Sequence, residues 1–203
     1  MGCSLIEISH RSPEFDEIIT RCDTLLTELA DIPSNYKILY VHGGAQMQFS
    51  AVPLNLINYK PQRKATFMLT GNWAVKASKE ASRYGTSIDA ISSQDSNFSY
   101  IPDWEPSRLD SESSYVHITS NNTLYGTRWQ TFPETGDTPL VADMTSEFLS
   151  RKIDVSQFGI IFAGLQKNLG PAGLALVIIR EDLLGHALPE TPSLLNYQVY
   201  EEQ

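Results

Sequence analysis

The chain repeats one local pattern, in which a short apolar run leads through a glycine turn into a helix. Residues 38–41 are apolar and lead through a glycine pair into a helical pattern over residues 46–57. Residues 66–69 repeat the arrangement before a helix predicted over residues 73–84. Neighbouring parallel strands need a long crossover connection, which is usually a helix. The pattern therefore predicts an α/β fold, with a mostly parallel sheet flanked by helices on both faces.

The remaining elements fit one domain of this class. Ser12 has the position of a helix cap, and apolar residues then recur at helical spacing until Pro33. Five further apolar runs predict strands, at residues 87–91, 115–118, 140–142, 159–163 and 173–179. Residues 92–114 are polar and predict a long connection with room for a short helix. Because the apolar runs are evenly distributed, we expect one domain over residues 1–185 and an exit segment over residues 186–203.

The charge balance limits the partners of such a domain. The 203 residues include 15 Lys or Arg and 24 Asp or Glu, a formal net charge of -9. Because an acidic surface repels phosphate backbones and anionic lipids, neither nucleic acid nor a membrane is expected as a principal partner. Cys3 and Cys22 lack C-x-x-C or Cys/His spacing, which argues against a disulfide scaffold and a metal site. With no bilayer-length apolar run and no signal-peptide pattern, we expect a soluble, cytoplasmic protein.

One lysine stands in an unusual place, a glycine-flanked turn between two apolar runs. Lys167 lies near the middle of residues 159–173, with Gly164 before it and Gly170 after it. Burial of an ammonium at such a position is costly, and the usual relief is loss of its proton. A neutral amine is a nucleophile that can form a Schiff base with an aldehyde cofactor. The alternative is that Lys167 extends from its turn into water.

Three further features suit such a cofactor, although each has an ordinary structural alternative. Asp143 ends an apolar run, where a carboxylate can hold a protonated pyridine nitrogen or can simply cap the next turn. The turn over residues 42–46 can present N–H groups to a phosphate, although short glycine turns are common. Trp73 can stack on a heteroaromatic ring or can belong to the core. Together with Lys167, these are the four parts that a pyridoxal 5'-phosphate site requires.

Six segments of the chain resemble the phosphoserine aminotransferases, a family of fold type I enzymes that depend on pyridoxal 5'-phosphate. The two most specific are the run from Gln166 to Gly173 and the triplet Ser9, His10 and Arg11. The six segments are residues 8–11, 42–44, 71–73, 120–127, 142–143 and 164–173. The resemblance runs over nearly the whole chain. It implies the large, cofactor-binding domain of fold type I, with a seven-stranded sheet between helices.

The resemblance implies a role for each matching residue. Lys167 is expected to be the Schiff-base lysine, Asp143 the partner of the pyridine nitrogen, and Trp73 the residue that stacks on the ring. Thr123 is expected near the ring hydroxyl. The cofactor phosphate is expected to be held by Ala45, Gln46 and Gln166.

A second part of the resemblance concerns the substrate and the assembly. His10 and Arg11 are expected to reach across a homodimer interface to the phosphate of the substrate in the neighbouring subunit. The planar guanidinium of arginine suits this role because it binds phosphate oxygens with two parallel hydrogen bonds. Without the resemblance, the same triplet is typical of an ordinary polar helix entry.

The implied reaction transfers the amino group of L-glutamate to 3-phosphonooxypyruvate and gives phosphoserine and 2-oxoglutarate in serine biosynthesis. A related 4-phosphohydroxythreonine activity in vitamin B6 biosynthesis is also implied.

Two departures from the family pattern leave alternatives open. Ala45 and Gln46 replace a third glycine and an arginine of some relatives, and the sequence lacks both the family's N-terminal Gly-Pro segment and its C-terminal small domain. The alternatives are another fold type I transaminase and a truncated cofactor-binding domain without turnover.

Overall fold

Short strands and helices alternate along the chain in the computed structural model. It describes residue 2 and residues 4–202, so Met1, Cys3 and Gln203 lie outside the described residues. The strands are β1 (Tyr36–His42), β2 (Lys64–Leu69), β3 (Thr86–Ser92), β4 (Ser113–Thr119), β5 (Asn121–Asn122), β6 (Thr127–Arg128), β7 (Leu140–Asp143), β8 (Ile160–Gly164) and β9 (Leu174–Arg180). The helices are α1 (Pro13–Ala30), α2 (Gly44–Leu56), α3 (Asn72–Ala81) and α4 (Tyr197–Glu201).

Seven of these strands form one sheet in the order β1, β9, β8, β7, β4, β2, β3. The pairs from β8 through β7, β4 and β2 to β3 are parallel. Strand β9 runs antiparallel to both of its neighbours, β1 and β8. The prediction of a mostly parallel α/β sheet is confirmed. Because the parallel strands share one direction, their carboxyl ends meet at one edge of the sheet, where ligands of this fold class bind.

Both faces of the sheet are covered, but by different kinds of structure. Helices α2 and α3 cover one face, where Phe49 and Leu56 pack among the buried residues around Phe162. The other face packs against the end of α1 and irregular segments, which contribute Ala30 and Phe148. Each fully buried Phe or Leu side chain stabilises the fold by about 1.5–3 kcal/mol relative to exposure. Packing on both faces therefore stabilises the sheet whose edge carries the candidate site residues.

The helix boundaries follow local signals. Ser12 caps α1, since its side chain accepts a hydrogen bond from the Phe15 N–H, and the helix ends where Asp31 adopts a left-handed conformation. The predicted extension of α3 to residue 84 is wrong, because the helix ends at Ala81. The chain leaves α3 through a turn, in which the Tyr84 N–H donates to the Ala81 carbonyl oxygen at 2.9 Å, and Gly85 then lies close to the Arg63 carbonyl oxygen just before β2. Within residues 2 and 4–202, none of the helices is both long and apolar enough to cross a bilayer.

The segment after residue 185 packs on the same core. Tyr197 is buried, its hydroxyl donates to Oε1 of Gln48 at 2.8 Å, and its N–H donates to Oδ1 of Asn55 at 2.9 Å. Both partners belong to α2 and are themselves buried. These bonds join the segment to the helix whose first turn borders the site described below. The division between a domain over residues 1–185 and an exit segment over residues 186–203 stays a prediction.

Candidate active site

A cavity of about 120 Å³ lies at the carboxyl edge of the sheet, beside the starts of α2 and α3. Six residues that were predicted from the sequence line it: Ala45, Gln46, Trp73, Asp143, Gln166 and Lys167. The amine of Lys167 and the carboxylate of Asp143 therefore border one space, on one side of the sheet. An apolar cavity of about 150 Å³ holds a benzene molecule, so this space has the scale of one aromatic ring.

Lys167 lies in the turn that follows β8. Its Nζ donates a hydrogen bond to Oγ1 of Thr123 at 3.1 Å. The turn is held to the segment that follows β7, because Nδ2 of Asn168 donates to the Phe148 carbonyl oxygen at 2.7 Å. The expectation that this lysine is buried is wrong: its side chain is exposed, since the turn projects beyond the end of β8 to the border of the cavity.

Asp143 is the last residue of β7 and is only 5% exposed. Its Oδ1 accepts two hydrogen bonds from Thr145, one from the N–H at 3.0 Å and one from the hydroxyl at 2.6 Å. Burial raises the pKa of this carboxyl above its ordinary value, against the opposing effects of the Thr145 bonds and the Lys167 charge. A carboxylate in this setting gains from a cationic partner, since a buried charge without one is unfavourable.

The start of α2 provides a place for an anion beside the lysine turn. Gly43 and Gly44 have φ values of 90° and 66°, a left-handed conformation that glycine adopts without steric cost. The N–H groups in the first turn of a helix have no partner within the helix and carry partial positive charge. A Cβ on Gly164 would lie 3.0 Å from the Ala45 nitrogen, so the start of α2 and the end of β8 are in close contact.

Trp73 borders the cavity from the first turn of α3. Its ring is half-buried, with the centroid of Phe49 at 6.4 Å and Nζ of Lys76 at 4.4 Å from the ring centroid. Phe49 in turn contacts the buried Phe162 of β8, with ring centroids 6.3 Å apart. This chain of aromatic contacts fixes the indole plane relative to the sheet.

Gly71, at the entry to α3, is in contact with the hairpin of β5 and β6. A Cβ at this position would lie 2.3 Å from Oδ1 of Asn122, whose Nδ2 donates to Oγ1 of Thr70 at 3.2 Å. The same hairpin carries Thr123, the partner of the lysine. The lack of a side chain at Gly71 therefore allows the hairpin, which carries Thr123, to pack against the start of α3, which carries Trp73.

Replacing Gly71 with alanine is expected to lower the free energy of unfolding by about 1–3 kcal/mol, because the added methyl group overlaps Asn122. Asn122→Ala alone should cost about 1 kcal/mol through its lost hydrogen bond. The double variant should lose less than the sum of the two, with a favourable coupling of about 1 kcal/mol. Chemical denaturation of the four proteins measures this; strictly additive losses would contradict the contact.

Three predicted residues do not line the cavity. Thr123 lies on the hairpin of β5 and β6, where its Oγ1 accepts the hydrogen bond from Nζ of Lys167 at 3.1 Å. His10 and Arg11 lie on an exposed turn before α1.

A larger groove, of about 910 Å³, is lined by parts of residues 130–159 and by Arg180. It lies at the opposite edge, where β7 and β8 begin, so the smaller cavity is the site that matches ligand binding in open parallel sheets.

Five cavity residues were missed from the sequence: Phe49, Thr119, Asn121, Thr145 and Ser146. Four of them follow the same rule that identified Asp143, since they are polar residues at or just after the carboxyl ends of β4 and β7. The strand register places Thr119 directly beside Asp143. Its hydroxyl is buried and has no hydrogen-bond partner among the described residues. It is therefore free to bind a ligand in the cavity.

The family described as class-V aminotransferase matches residues 3–199 of the chain. The chain belongs to this family. Among curated relatives, it is 50% identical over 202 residues to a phosphoserine aminotransferase of Desulfotalea psychrophila, and the match covers 100% of the chain and 55% of the relative. It is 47% identical to a phosphoserine aminotransferase of Lysinibacillus sphaericus, with coverage of 98% and 54%. The chain thus spans about half the length of the curated relatives it matches.

A solved structure supports the same assignment. The PLP-bound phosphoserine aminotransferase of Trichomonas vaginalis superposes with a TM-score of 0.88 at 36% identity. The superposition covers 98% of this chain and 59% of that one. The fold of the class-V chain described above is therefore that of fold type I aminotransferases.

Proposed function

We propose that this chain is the cofactor-binding part of an aminotransferase. The proposed enzyme moves the amino group of L-glutamate to a phosphorylated 2-oxo acid, 3-phosphonooxypyruvate, in the cytoplasm, with pyridoxal 5'-phosphate as cofactor. One observation carries the proposal: the Lys167 amine and the Asp143 carboxylate border one ring-sized cavity. The similarity to phosphoserine aminotransferases supports the choice of substrates.

The residues present fit this cofactor in chemical type. Asp143 offers a carboxylate to a protonated ring nitrogen, and Trp73 offers a flat face to the ring. The N–H groups at the start of α2 and the side-chain amide of Gln166 offer hydrogen bonds to a phosphate. The Thr119 hydroxyl, which has no hydrogen-bond partner among the described residues, offers one more polar contact. Backbone donation does not depend on side chains, so Ala45 and Gln46 retain it although they lack the positive charge of an arginine.

When bound, pyridoxal phosphate supplies an aldehyde that combines with amines and a ring that withdraws electrons from the substrate α-carbon. Lys167 would hold the cofactor through Nζ, and once the amino group of the substrate had displaced it, the freed Nζ would carry the proton of the substrate α-carbon. Thr123 fixes the resting position of that nitrogen with its 3.1 Å contact. Asp143 would offer a negative charge to the ring nitrogen, and Trp73 would exclude water from one face of the ring.

The acceptor phosphate is assigned to His10 and Arg11 of a second subunit. In a chain with a net charge of -9, these exposed groups would form a local cationic surface for a phosphorylated substrate. The residues are not on the cavity wall of their own chain, which suits a role in the site of a partner. We therefore propose a homodimer, and mass measurement under native conditions tests it.

Replacing Arg11 with glutamine is expected to raise the KM for 3-phosphonooxypyruvate about 10- to 100-fold, the effect of losing a hydrogen bond to a charged group. Pyruvate lacks the phosphate, so activity with pyruvate should not change. Arg21→Gln, which removes an exposed arginine from α1, is the matched control. An equal effect of Arg11→Gln on both acceptors would contradict the phosphate assignment.

Turnover itself is measured as 2-oxoglutarate formed from L-glutamate in the presence of pyridoxal phosphate. The proposal expects 3-phosphonooxypyruvate to be preferred strongly over pyruvate. Equal rates with both would instead indicate a fold type I transaminase with a different acceptor. A chain that binds the cofactor covalently but does not respond to glutamate would be a cofactor-binding domain without turnover.

A further inference from the structure

Thr145 occupies a position between the two groups on which the proposed chemistry depends. It is 9% exposed and lies two residues after Asp143, in the wall of the cavity. Its hydroxyl donates to Oδ1 of Asp143 at 2.6 Å and accepts a hydrogen bond from the Gly164 N–H at 3.1 Å. Its own N–H donates to the same Oδ1 at 3.0 Å.

The two carboxylate oxygens of Asp143 differ in their hydrogen bonds. Both donors act on Oδ1, while Oδ2 accepts no hydrogen bond from the part of the chain that the structure describes. Hydrogen bonds to an ionised carboxylate are stronger than neutral ones and replace lost hydration. The carboxylate is thus held through one oxygen, and the other stays available to a ligand in the cavity.

The surroundings of Asp143 contain few other charges. Lys167 is the cation that acts on it. On β4, His117 lies on the same face of the sheet but is neutral near pH 7, because burial lowers its pKa to about 3. Helices α2 and α3 contribute Gln46 and Trp73 to the cavity, and neither side chain is ionisable. Apart from Lys167, the Thr145 hydrogen bonds are therefore the main support for the ionised carboxylate.

The second bond of the Thr145 hydroxyl reaches the lysine turn. Gly164 is the last residue of β8 and lies three residues before Lys167. Strands β7 and β8 are already paired, with Asp143 beside Phe162 in the register. The hydroxyl continues this pairing past the end of β7, at the point where the chain begins its turn toward the lysine.

We propose that Thr145 is a positioning residue whose single hydroxyl holds the Asp143 carboxylate with Oδ2 available to the cofactor ring nitrogen, and fixes the spacing between that carboxylate and the Lys167 turn. This inference rests on the proposed function, since it assigns Oδ2 to the pyridine nitrogen. It goes further by naming the residue that sets the geometry of the acid and the lysine together.

Three variants test the proposal. Thr145→Val keeps the shape and the backbone N–H but removes the hydroxyl, whereas Thr145→Ser keeps the hydroxyl. Thr66→Val is the matched control, because it removes a buried threonine hydroxyl that bonds Ser113 at 2.7 Å away from the cavity. Should Thr145→Val fail to fold, Thr145→Ala removes the same hydroxyl without a branched side chain.

The first readout is the dissociation constant of pyridoxal phosphate, obtained by titrating the visible absorption band of the lysine-bound cofactor. Thr145→Val should raise it about 10- to 100-fold, the effect of losing a hydrogen bond to a charged group. Thr145→Ser and Thr66→Val should stay within about threefold of the wild type, a margin well below one such hydrogen bond.

The second readout needs no cofactor. Carbon-13 NMR of aspartate-labelled chain follows the Asp143 carboxyl through a pH titration, with Asp143→Asn to assign the signal. Thr145→Val should raise the pKa of this carboxyl, because the lost hydrogen bond favoured the ionised form. Thr145→Ser should restore it.

Two results would overturn the proposal. One is a Thr145→Val protein with the wild-type carboxyl titration. The other is a Thr145→Ser protein as impaired as Thr145→Val, which would show that the shape of the side chain matters and not its hydroxyl. If the wild-type chain gave no visible band at all, the proposed function would fail, and the NMR titration would still decide what Thr145 does to Asp143.

Discussion

Replacing Lys167 with alanine is expected to abolish covalent binding of pyridoxal phosphate at the site completely, rather than weaken it. No neighbouring group can replace the lost amine, because only a primary amine in this position can combine with the cofactor aldehyde. The Thr123 hydroxyl that accepts from Nζ at 3.1 Å has no comparable nucleophilicity. The visible absorption band of the lysine-bound cofactor, titrated at equal protein concentration, measures the effect.

A control is needed because aldehydes react slowly with any exposed lysine. Lys152→Ala serves, since Lys152 is exposed and lines the large groove at the opposite edge of the sheet. It should leave the band and the dissociation constant unchanged. A Lys167→Ala protein that retained the saturable band of the wild type would show that another amine binds the cofactor.

Replacing Asp143 with asparagine is expected to weaken cofactor binding by about 1.5 to 3.5 orders of magnitude, because about 2–5 kcal/mol is typical for removing one partner of a buried charge pair. The free energy of unfolding of the cofactor-free chain should not fall with this substitution. Burial raises the pKa of this carboxyl in the folded chain, so its ionised form is disfavoured by folding near pH 7. Removing the charge should leave the free energy of unfolding unchanged or slightly higher.

The same reasoning fixes the pH dependence. Wild-type affinity should fall as the pH is lowered through the carboxyl's pKa, which lies above its ordinary value of 3.8, and the asparagine variant should lack this step. Asp137→Asn, at an exposed position, is the control and should bind like the wild type. An Asp143→Asn protein that lost stability and affinity together would indicate a structural role instead of a charge held for the ring nitrogen.

The sequence was sufficient to predict the residues whose position depends on local signals. Asp143 follows an apolar run and Lys167 lies in a glycine-bracketed turn, so both could be placed at strand ends before their neighbours were known. The predicted end of α3 is three residues too late, and the residues that follow the helix lead to a close approach between Gly85 and the Arg63 carbonyl oxygen. That approach is between residues distant in sequence, and the spacing of apolar residues along a helix cannot predict it.

The rest of the site depends on which strands are neighbours. Thr119 lies beside Asp143 because β4 pairs with β7, and no spacing along the chain gives that pairing. The antiparallel insertion of β9 between β1 and β8 is likewise a matter of topology. The sequence left burial and exposure of Lys167 both open for a related reason: the apolar runs around it favour burial, whereas the turn between them projects from the sheet and leaves the side chain exposed.

The most direct test of the account is to locate the covalent attachment itself. The chain is mixed with pyridoxal phosphate, reduced with borohydride to make the link permanent, digested and mapped by mass spectrometry. The account predicts stoichiometric label on the peptide that contains Lys167, with much less on every other lysine. Label spread over surface lysines in proportion to their exposure, with none preferred, would contradict it.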